Sequence, residues 1–216
     1  MTHKTTRLLV ATHNKGKVAE YADILSDLAI DWLTLDEAGV THEVDETGAT
    51  FREHAVLKAQ AYARLTGLLT LADDSGLEVD ALGGQPGVLT ARYGGEGLSA
   101  PDRYRLLLHN LEEVPRGRRT ARFHCVVALA APSGAMLGTA DGVCAGEIAF
   151  EPVGDGGFGY DPVFFLPERE LTMAQLAAAE KHAISHRGRA AQAIAPLLRA
   201  VMTSARIEPD GTEEPG

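Results

Sequence analysis

A block of consecutive strand-like segments in the middle of the chain, Thr120–Phe150, constrains the fold most. Turn residues at Pro132-Ser133-Gly134 and near Gly142 divide this block, as expected for neighbouring antiparallel strands. On either side of it, apolar runs of strand length alternate with amphipathic segments of helix length. This combination predicts an α/β fold in which helices pack on a mixed β-sheet.

The individual elements follow from the same periodicities. The predicted strands are Leu8–Ala11, Asp31–Leu35, Leu68–Ala72, Leu77–Val79, Thr120–Ala130, Met136–Gly142 and Glu147–Phe150. The predicted helices are Lys17–Leu28, Thr50–Leu65, Pro101–Leu111, Met173–Ala183 and Ser185–Met202. Pro196 falls inside the last helix and is predicted to kink it, because proline removes a backbone hydrogen bond there.

Charge and composition argue against several classes of protein. The 216 residues include 30 acidic and 20 basic side chains, and a net charge of −10 disfavours a nucleic-acid polymer as partner. A local basic cleft can still bind a small anion. No apolar run reaches the ~18 residues of a transmembrane helix, and the start, Met1-Thr2-His3-Lys4, has no apolar signal region. The chain is therefore expected to be cytoplasmic and to have no membrane partner.

Two adjacent carboxylates at the end of an apolar run form the first candidate site. The run Leu68–Ala72 is typical of a buried strand, and Asp73, Asp74, Ser75 and Gly76 follow it. Magnesium takes oxygen ligands from one or two carboxylates together with substrate phosphates. Carboxylates at the exit of a strand therefore suit this ion. A solvated Asp-Asp-Ser-Gly turn is the alternative interpretation.

A polar turn between the first strand and the first helix forms the second candidate site. It consists of Thr12, His13, Asn14, Lys15, Gly16 and Lys17. A helix N-terminus offers free N–H groups and the positive end of the helix dipole to an anion, and the two lysines add charge. The turn is therefore a candidate phosphate site, although its spacing is not that of a Walker loop. An ordinary capped turn with surface lysines is the alternative, and His13 is interpreted as structural.

Two further segments carry aromatic and cationic residues. The glycine-rich run 154–159 surrounds Phe158, which has room to stack on a planar base or, alternatively, anchors a long loop. Ser185 is a predicted N-cap of the last helix, so that His186 and Arg187 would lie in its first turn. Cations oppose the helix dipole at that position. An anionic or carbonyl-bearing ligand is therefore expected to accept hydrogen bonds from them.

These segments resemble one family, the house-cleaning inosine triphosphate pyrophosphatases, from about Leu8 to about Leu198. Further matching pieces are Glu46-Thr47-Gly48 with Thr50-Phe51, Ala55-Val56-Leu57-Lys58-Ala59, Gly83-Gly84-Gln85-Pro86-Gly87-Val88, Ala91-Arg92-Tyr93 and Ala121-Arg122-Phe123-His124-Cys125. The chain departs from the family at His54, where asparagine is usual, and at Asp45, where glutamate is frequent. Arg103 falls near a position that is often asparagine.

The resemblance implies a long mixed sheet with helices on both sides and two lobes around a central substrate cleft. One domain of two lobes is predicted over residues 1–204. Residues 205–216 are acidic and lack a core-forming pattern, and they are predicted to be a disordered tail. The resemblance also implies a homodimer.

The implied activity is the hydrolysis of ITP, dITP and XTP to the monophosphate and pyrophosphate, with Mg²⁺ as cofactor and Mn²⁺ as a possible substitute. The resemblance assigns Asp74 as the catalytic base. The candidate metal ligands are Asp74, Asp45 and Glu46. The candidate substrate-binding residues are Thr12, His13, Asn14, Lys15, Gly16, Lys17, Lys58, Ser75, Phe158, Gly159, Tyr160, Asp161, Lys181, His186 and Arg187.

The purine base gives a physical reason for substrate selection. Hypoxanthine and xanthine carry the acceptor O6, to which His186 and Arg187 can donate, whereas adenine carries an amino group there. A site left with unpaired polar groups can reject a substrate by roughly 10⁴–10⁵. A pyrophosphatase for other modified nucleotides and a nucleotide-binding module without turnover are the alternatives. Clustered carboxylates beside phosphates argue against the non-catalytic module, because they would only weaken binding.

Overall fold

The computed structural model describes residues 5–45 and 47–204, and their strands form one mixed sheet. The strands are β1 (Thr6–Val10), β2 (Ile30–Leu33), β3 (Leu69–Val79), β4 (Thr120–Ala130), β5 (Met136–Ile148), β6 (Phe164–Leu166) and β7 (Leu171–Thr172). The α-helices are α1 (Lys15–Ile24), α2 (Phe51–Thr66), α3 (Ala100–Asn110), α4 (Ala178–Ile184) and α5 (His186–Ser204). Short 3₁₀ helices cover Asp80–Leu82, Gly87–Arg92, Asp161–Val163 and Met173–Gln175.

The strand order in the sheet is β2-β1-β3-β4-β5-β6-β7. β1 is parallel to both β2 and β3, and the remaining neighbours are antiparallel. The parallel part therefore comes from the alternating strands and helices of the first half, and the antiparallel part comes from the central strand block. This mixed sheet confirms the predicted α/β fold.

β3 is one continuous strand of eleven residues, so the prediction of two strands separated by an Asp-Asp-Ser-Gly turn is wrong. The antiparallel partner β4 explains the difference, because it pairs with β3 throughout, including Asp73 with Val127 and Asp74 with Val126. Polar side chains in mid-strand interrupt the apolar pattern, but they do not interrupt the backbone hydrogen bonds. The two carboxylates therefore lie inside a strand.

β5 also joins two predicted strands into one, and no turn occurs at Gly142. Gly142 pairs with Cys125 in the ladder between β4 and β5. A Cβ atom at this position would collide with the backbone of α5 at His186. The glycine therefore allows close approach of a helix to the sheet.

The predicted helix Met173–Ala183 is instead two helices, the 3₁₀ helix Met173–Gln175 and α4. Leu176 between them has an extended backbone conformation, with φ −77 and ψ 144. Thr172 and Gln175 form a capping box at the start of the first of the two. The helical periodicity of the sequence continues through this break, which explains the incorrect prediction.

Helices cover both faces of one end of the sheet. On one face, α1 and α5 pack on Leu71 and Val127, and on the other α2 packs on Ala72 and Val126. We call this end of the sheet, with its two apolar layers, the near core. The two layers account for the predicted helices on both sides of the sheet.

The far core lies at the other end of β3, β4 and β5. It contains Leu77 of β3, Phe123 of β4, Ile148 of β5, Leu107 of α3 and Phe164 of β6. The same three strands therefore run through both cores. None of the helices in residues 5–45 and 47–204 has the length and apolar character needed to cross a bilayer. The predicted acidic tail, residues 205–216, lies outside the described part of the chain.

β1 ends where the two carboxylates of β3 begin. The last residue pair of the parallel ladder joins Val10 to Leu71, and β3 then continues to Val79. Beyond Leu71 this edge of β3 pairs with no further strand in the described part of the chain, and a single bridge joins Glu78 to Pro86. Ligands in α/β proteins bind outside the carboxyl ends of parallel strands, and this edge is such a position.

Candidate active site

A cavity of about 710 Å³ lies along the uncovered edge of β3 and brings together most of the predicted site residues. The predicted residues that line it are Thr12, His13, Asn14, Lys17, Lys58, Asp74, Ser75, Phe158, Gly159, Tyr160, Asp161, Lys181, His186 and Arg187. Lys15 and Gly16 do not line this cavity, and neither does the exposed Asp45. Glu46 lies outside the described residues.

The turn before α1 has the geometry of a helix cap. The Asn14 side-chain oxygen accepts hydrogen bonds from the backbone N–H groups of Gly16, at 2.9 Å, and Lys17, at 3.4 Å. Thr12 Oγ1 in turn accepts from the Asn14 N–H at 3.1 Å. His13 pairs with Asp36 at 2.7 Å, in agreement with a structural role. The capped turn is confirmed, and its use as a phosphate site stays a prediction.

Asp74 is held between two side chains of α2. Its Oδ2 lies 2.9 Å from His54 Nδ1, and its Oδ1 lies 3.4 Å from Lys58 Nζ. His54 and Lys58 are four residues apart, so they project from the same face of the helix. The Asp74 side chain is 14% exposed and the Lys58 side chain 12%. A single helical face therefore fixes both oxygens of the candidate base.

Asp73 has a different environment, because successive residues of a strand point to opposite faces of the sheet. It is almost fully buried, and its carboxylate accepts from Lys17 Nζ at 3.0 Å and Arg187 Nε at 3.4 Å. Burial alone would raise the pKa of Asp73, but the charges of Lys17 and Arg187 hold it well below the usual range. The observed donors to the Asp73 carboxylate are therefore the side-chain cations of Lys17 and Arg187.

The far end of the cavity carries the predicted base-binding residues. The Phe158 ring is 42% exposed, and Lys181 Nζ lies 4.7 Å from its centroid. Asp161 Oδ2 accepts from the Phe158 N–H at 2.8 Å and from Lys181 Nζ at 3.0 Å. Gly157 has a positive φ of 71, and a Cβ there would collide with the Asp161 carboxylate. Asp161 thus anchors the loop that presents the aromatic face.

Glu20 of α1 joins the cations of this end. Its Oε1 accepts from Lys181 Nζ at 2.9 Å, and its Oε2 accepts from Arg187 Nη1 at 2.6 Å. Burial opposes ionisation of Glu20, yet Arg187 and Lys181 hold its pKa below the usual range. Arg187 also reaches Ser75 Oγ at 3.2 Å. The charge of Arg187 therefore has partners within the protein, and a ligand as a further acceptor stays a prediction.

His186 is the buried polar residue with an unused hydrogen-bonding atom. Its ring stacks on Phe123 at 4.7 Å with an interplanar angle of 17°, and its Nδ1 has no hydrogen-bond partner among the described residues. Ser185 Oγ accepts from the Gly188 N–H at 3.1 Å, which confirms the predicted N-cap. Burial, followed by the nearby charges of Arg187 and Lys181, lowers the pKa of His186 well below its usual value. His186 is therefore a neutral imidazole in the cavity lining, with a buried nitrogen that has no partner among the described residues.

Comparison with known proteins shows to which family the chain belongs. A sequence profile of the Ham1 family matches residues 8–197. The chain belongs to the Ham1 family. The dITP/XTP pyrophosphatase of Geobacter sulfurreducens is 51% identical over 185 residues, which cover 86% of this chain and 92% of that protein. The dITP/XTP pyrophosphatase of Bacillus subtilis is 44% identical over 192 residues, which cover 89% of this chain and 96% of that protein.

Solved Ham1 structures have the same fold. A HAM1 protein from Coxiella burnetii superposes with a TM-score of 0.82 at 41% identity, covering 91% of this chain and all of that one. The Staphylococcus aureus Ham1 protein gives a TM-score of 0.79 at 37% identity, covering 91% of this chain. The predicted family and the predicted fold class are thus confirmed. Every predicted residue that lines the cavity falls inside the span matched to the Ham1 family.

The residues at this Ham1 site that sequence patterns did not assign to it include Glu20, His54, Phe123 and Arg103. Glu20 and His54 contact candidate residues, whereas Phe123 and Arg103 line the cavity. Helical spacing carried a signal for the first two, because Glu20 lies three residues after Lys17 and His54 four before Lys58. Phe123 occupies an ordinary strand position, and no local pattern distinguishes it from a core residue.

The buried neutral His186 predicts a pH effect on the stability of this Ham1 protein. In the unfolded chain a histidine binds a proton below about pH 6.5, whereas folded His186 resists protonation. The unfolded state then binds more protons, so stability should fall as the pH drops below about 6.5, by up to about 1.4 kcal/mol per pH unit. Urea midpoints of the wild type and His186→Gln at pH 7 and at lower pH measure this contribution. Equal pH slopes for the two proteins would contradict the prediction.

Proposed function

We propose that this chain hydrolyses the deaminated purine nucleotides ITP, dITP and XTP to the monophosphate and pyrophosphate. The observation that carries the proposal is one cavity with two chemically distinct ends. Asp74 and Lys58 lie at one end, and Phe158, Lys181 and His186 lie at the other. A triphosphate and a base of one nucleotide would occupy these two ends. The relatives that bear the name dITP/XTP pyrophosphatase support the substrate class.

At the phosphate end, the cations and the carboxylate have separate roles. Lys58 would neutralise phosphate charge beside Asp74, and Lys17 and the cap of α1 would contact the rest of the phosphate chain. Asp74 would accept the proton of the attacking water as general base. Asp73 would take no proton, because Lys17 and Arg187 already neutralise it.

At the base end, the aromatic face and the polar edge have separate roles. Phe158 would stack on the purine, a contact worth roughly 1–3 kcal/mol for any base. The free Nδ1 of His186, together with Lys181 and Arg187, would read the O6 edge. Adenine carries an amino group in place of O6, so it would set a donor against Lys181 and Arg187 and would offer no acceptor to the buried edge. Burial raises the cost of such a mismatch, which is the physical basis of the proposed selectivity.

The donor set at the phosphate end fits a magnesium ion that arrives with the nucleotide. No cluster of three or more histidine, cysteine or acidic side chains suited to a metal exists in residues 5–45 and 47–204. Magnesium commonly uses one or two carboxylates and completes its shell with water and substrate phosphates, and Asp74 supplies such a carboxylate. Asp45 and Glu46 are the further candidate ligands. The bound ion would neutralise the phosphates and acidify the attacking water.

Turnover should therefore require Mg²⁺, or Mn²⁺ as a substitute. The Asp74 carboxylate would repel a metal-free triphosphate. Pyrophosphate release from ITP is measured with each ion and in excess EDTA, with melting curves in EDTA as a control for folding. Full turnover in EDTA would contradict the metal assignment.

A nucleotide panel tests the proposed function. Pyrophosphate release is measured with ITP, dITP, XTP, GTP, ATP and modified pyrimidine triphosphates. The proposal expects the highest kcat/KM for the deaminated purines. A preference for modified pyrimidines would favour the alternative pyrophosphatase, and tight nucleotide binding without pyrophosphate release would favour a non-catalytic module.

A cytoplasmic location, expected from the sequence, and a homodimeric state, implied by the family resemblance, complete the proposal. Fractionation of cells tests the first. Light scattering of the purified chain tests the second, and a mass of one chain would contradict it.

A further inference from the structure

His54 connects two parts of the site that are far apart in the fold. The residue belongs to α2 and is only 4% exposed. Its Nε2 lies 2.7 Å from the carbonyl oxygen of Gly48, and its Nδ1 lies 2.9 Å from Oδ2 of Asp74. The imidazole thus spans from the loop before α2 to the middle of β3. Both ring nitrogens are engaged, which leaves the ring one orientation.

The hydrogen-bonding capacity of each partner fixes the roles of the ring nitrogens. The Gly48 carbonyl can only accept, so Nε2 of His54 carries a hydrogen and donates it. Nδ1 is then the atom that contacts the Asp74 carboxylate.

Gly48 allows the loop before α2 to come close to the imidazole ring of His54. A Cβ at Gly48 would lie 2.6 Å from Glu53 Cβ and 2.9 Å from His54 Cδ2, closer than packed atoms tolerate. Only glycine allows the backbone carbonyl to approach the imidazole at this distance. Asp45 is three residues before Gly48, so the same loop carries a candidate metal ligand.

We propose that His54 is a positioning residue for the reaction and acts through Asp74. By holding Oδ2, the imidazole fixes the rotation of the carboxylate and leaves Oδ1 on the side of Lys58. The proton-accepting or metal-binding oxygen would then be Oδ1. This inference rests on the proposed function, because it assigns a role toward the proposed base.

Three substitutions separate positioning from packing. In His54→Asn the amide nitrogen takes the place of Nδ1, so the bond to Asp74 is kept and the bond to Gly48 is lost. In His54→Gln the longer side chain places its amide near Nε2, so the bond to Gly48 is kept and the bond to Asp74 is lost. His54→Phe fills the ring volume and makes neither bond.

The positioning role predicts a specific order of activities. His54→Gln and His54→Phe should lose about 10- to 100-fold in kcat, as for other residues that orient a carboxylate at a reacting centre. KM for ITP should change little, because the lost interaction serves the transition state. His54→Asn should keep the larger part of the wild-type kcat. Melting curves and circular dichroism show whether each variant is folded.

A packing role predicts the reverse order and would overturn the proposal. His54→Phe and His54→Gln would then keep wild-type kcat, and the smaller asparagine would be the most damaging. Equal kcat values in all three variants would overturn it as well. If His54→Phe does not fold, Gly48→Ala gives a second route, because its Cβ displaces the ring from Asp74. The proposal then expects a loss of kcat in Gly48→Ala, and an unchanged kcat would overturn it.

The same assay distinguishes a failure of the proposed function from a failure of the proposal on His54. A wild-type chain that releases no pyrophosphate from ITP contradicts the function before any variant is made. The proposal on His54 is judged only by the ratio of each variant to an active wild type.

Discussion

Replacing Asp74 with asparagine is expected to remove nearly all pyrophosphate release while the protein stays folded. Asparagine keeps the shape of the side chain but can neither accept a proton from water nor supply a carboxylate oxygen to a metal. Loss of a general base costs about 10²–10⁴ in rate. The measurement is kcat for ITP together with circular dichroism of the variant. A folded variant that kept more than about a tenth of wild-type kcat would contradict both roles of Asp74.

Asp73→Asn is the matched control, because it makes the same chemical change at the neighbouring carboxylate on the opposite face of β3. Asp73 is the buried counter-charge of Lys17 and Arg187. Removing one partner of a buried ion pair costs about 3–5 kcal/mol, so this variant should lose stability first. Similar losses of kcat at unchanged stability in both variants would show that the pair acts together in the reaction.

Arg187→Ala is expected to reduce the selectivity for ITP over ATP. Arg187 lies 5.5 Å from the Phe158 ring centroid, where it can reach the edge of a stacked base. A hydrogen bond from a charged donor is worth roughly 1.5–3 kcal/mol, so the ratio of kcat/KM values should fall by about tenfold or more. The variant also loses the ion pairs with Glu20 and Asp73 and should be less stable.

The design of this experiment removes the effect of stability. Both substrates are assayed on the same sample below its melting temperature, so the folded fraction cancels in the ratio. Lys58→Ala is the control, because ITP and ATP carry the same triphosphate and should be affected equally. An unchanged ITP-to-ATP ratio in Arg187→Ala would move Arg187 from the base edge to the phosphate end.

Local signals in the sequence predicted local structure well. The cap at Asn14 and the N-cap at Ser185 depend on residues two or three positions away, and both are present. The extent of β3 depends instead on β4, some fifty residues later, which pairs with Asp73 and Asp74 regardless of their polarity. Tertiary pairing thus overrides the local pattern at these two residues.

Partners across the fold were beyond the reach of sequence patterns. Glu20 has the position of a solvent-facing residue in an amphipathic helix, yet the packing of α5 brings Arg187 within 2.6 Å of it. The lack of a partner for Nδ1 of His186 likewise depends on the surroundings of the ring, which stacks on Phe123 of β4. Residue type was enough to predict the phosphate-binding and base-binding residues. The ion pairs that connect them could be identified only from the structure.

The three strands shared by the near and far cores bear on how the molecule can move. β3, β4 and β5 are eleven, eleven and thirteen residues long, and no linker separates the two halves of the site. A hinge at one or two residues is therefore not available. A change in the width of the cavity is therefore expected to spread as twist along these strands and their hydrogen-bond ladders. For the same reason neither half could be produced as an independent fragment, since each would carry three severed strands.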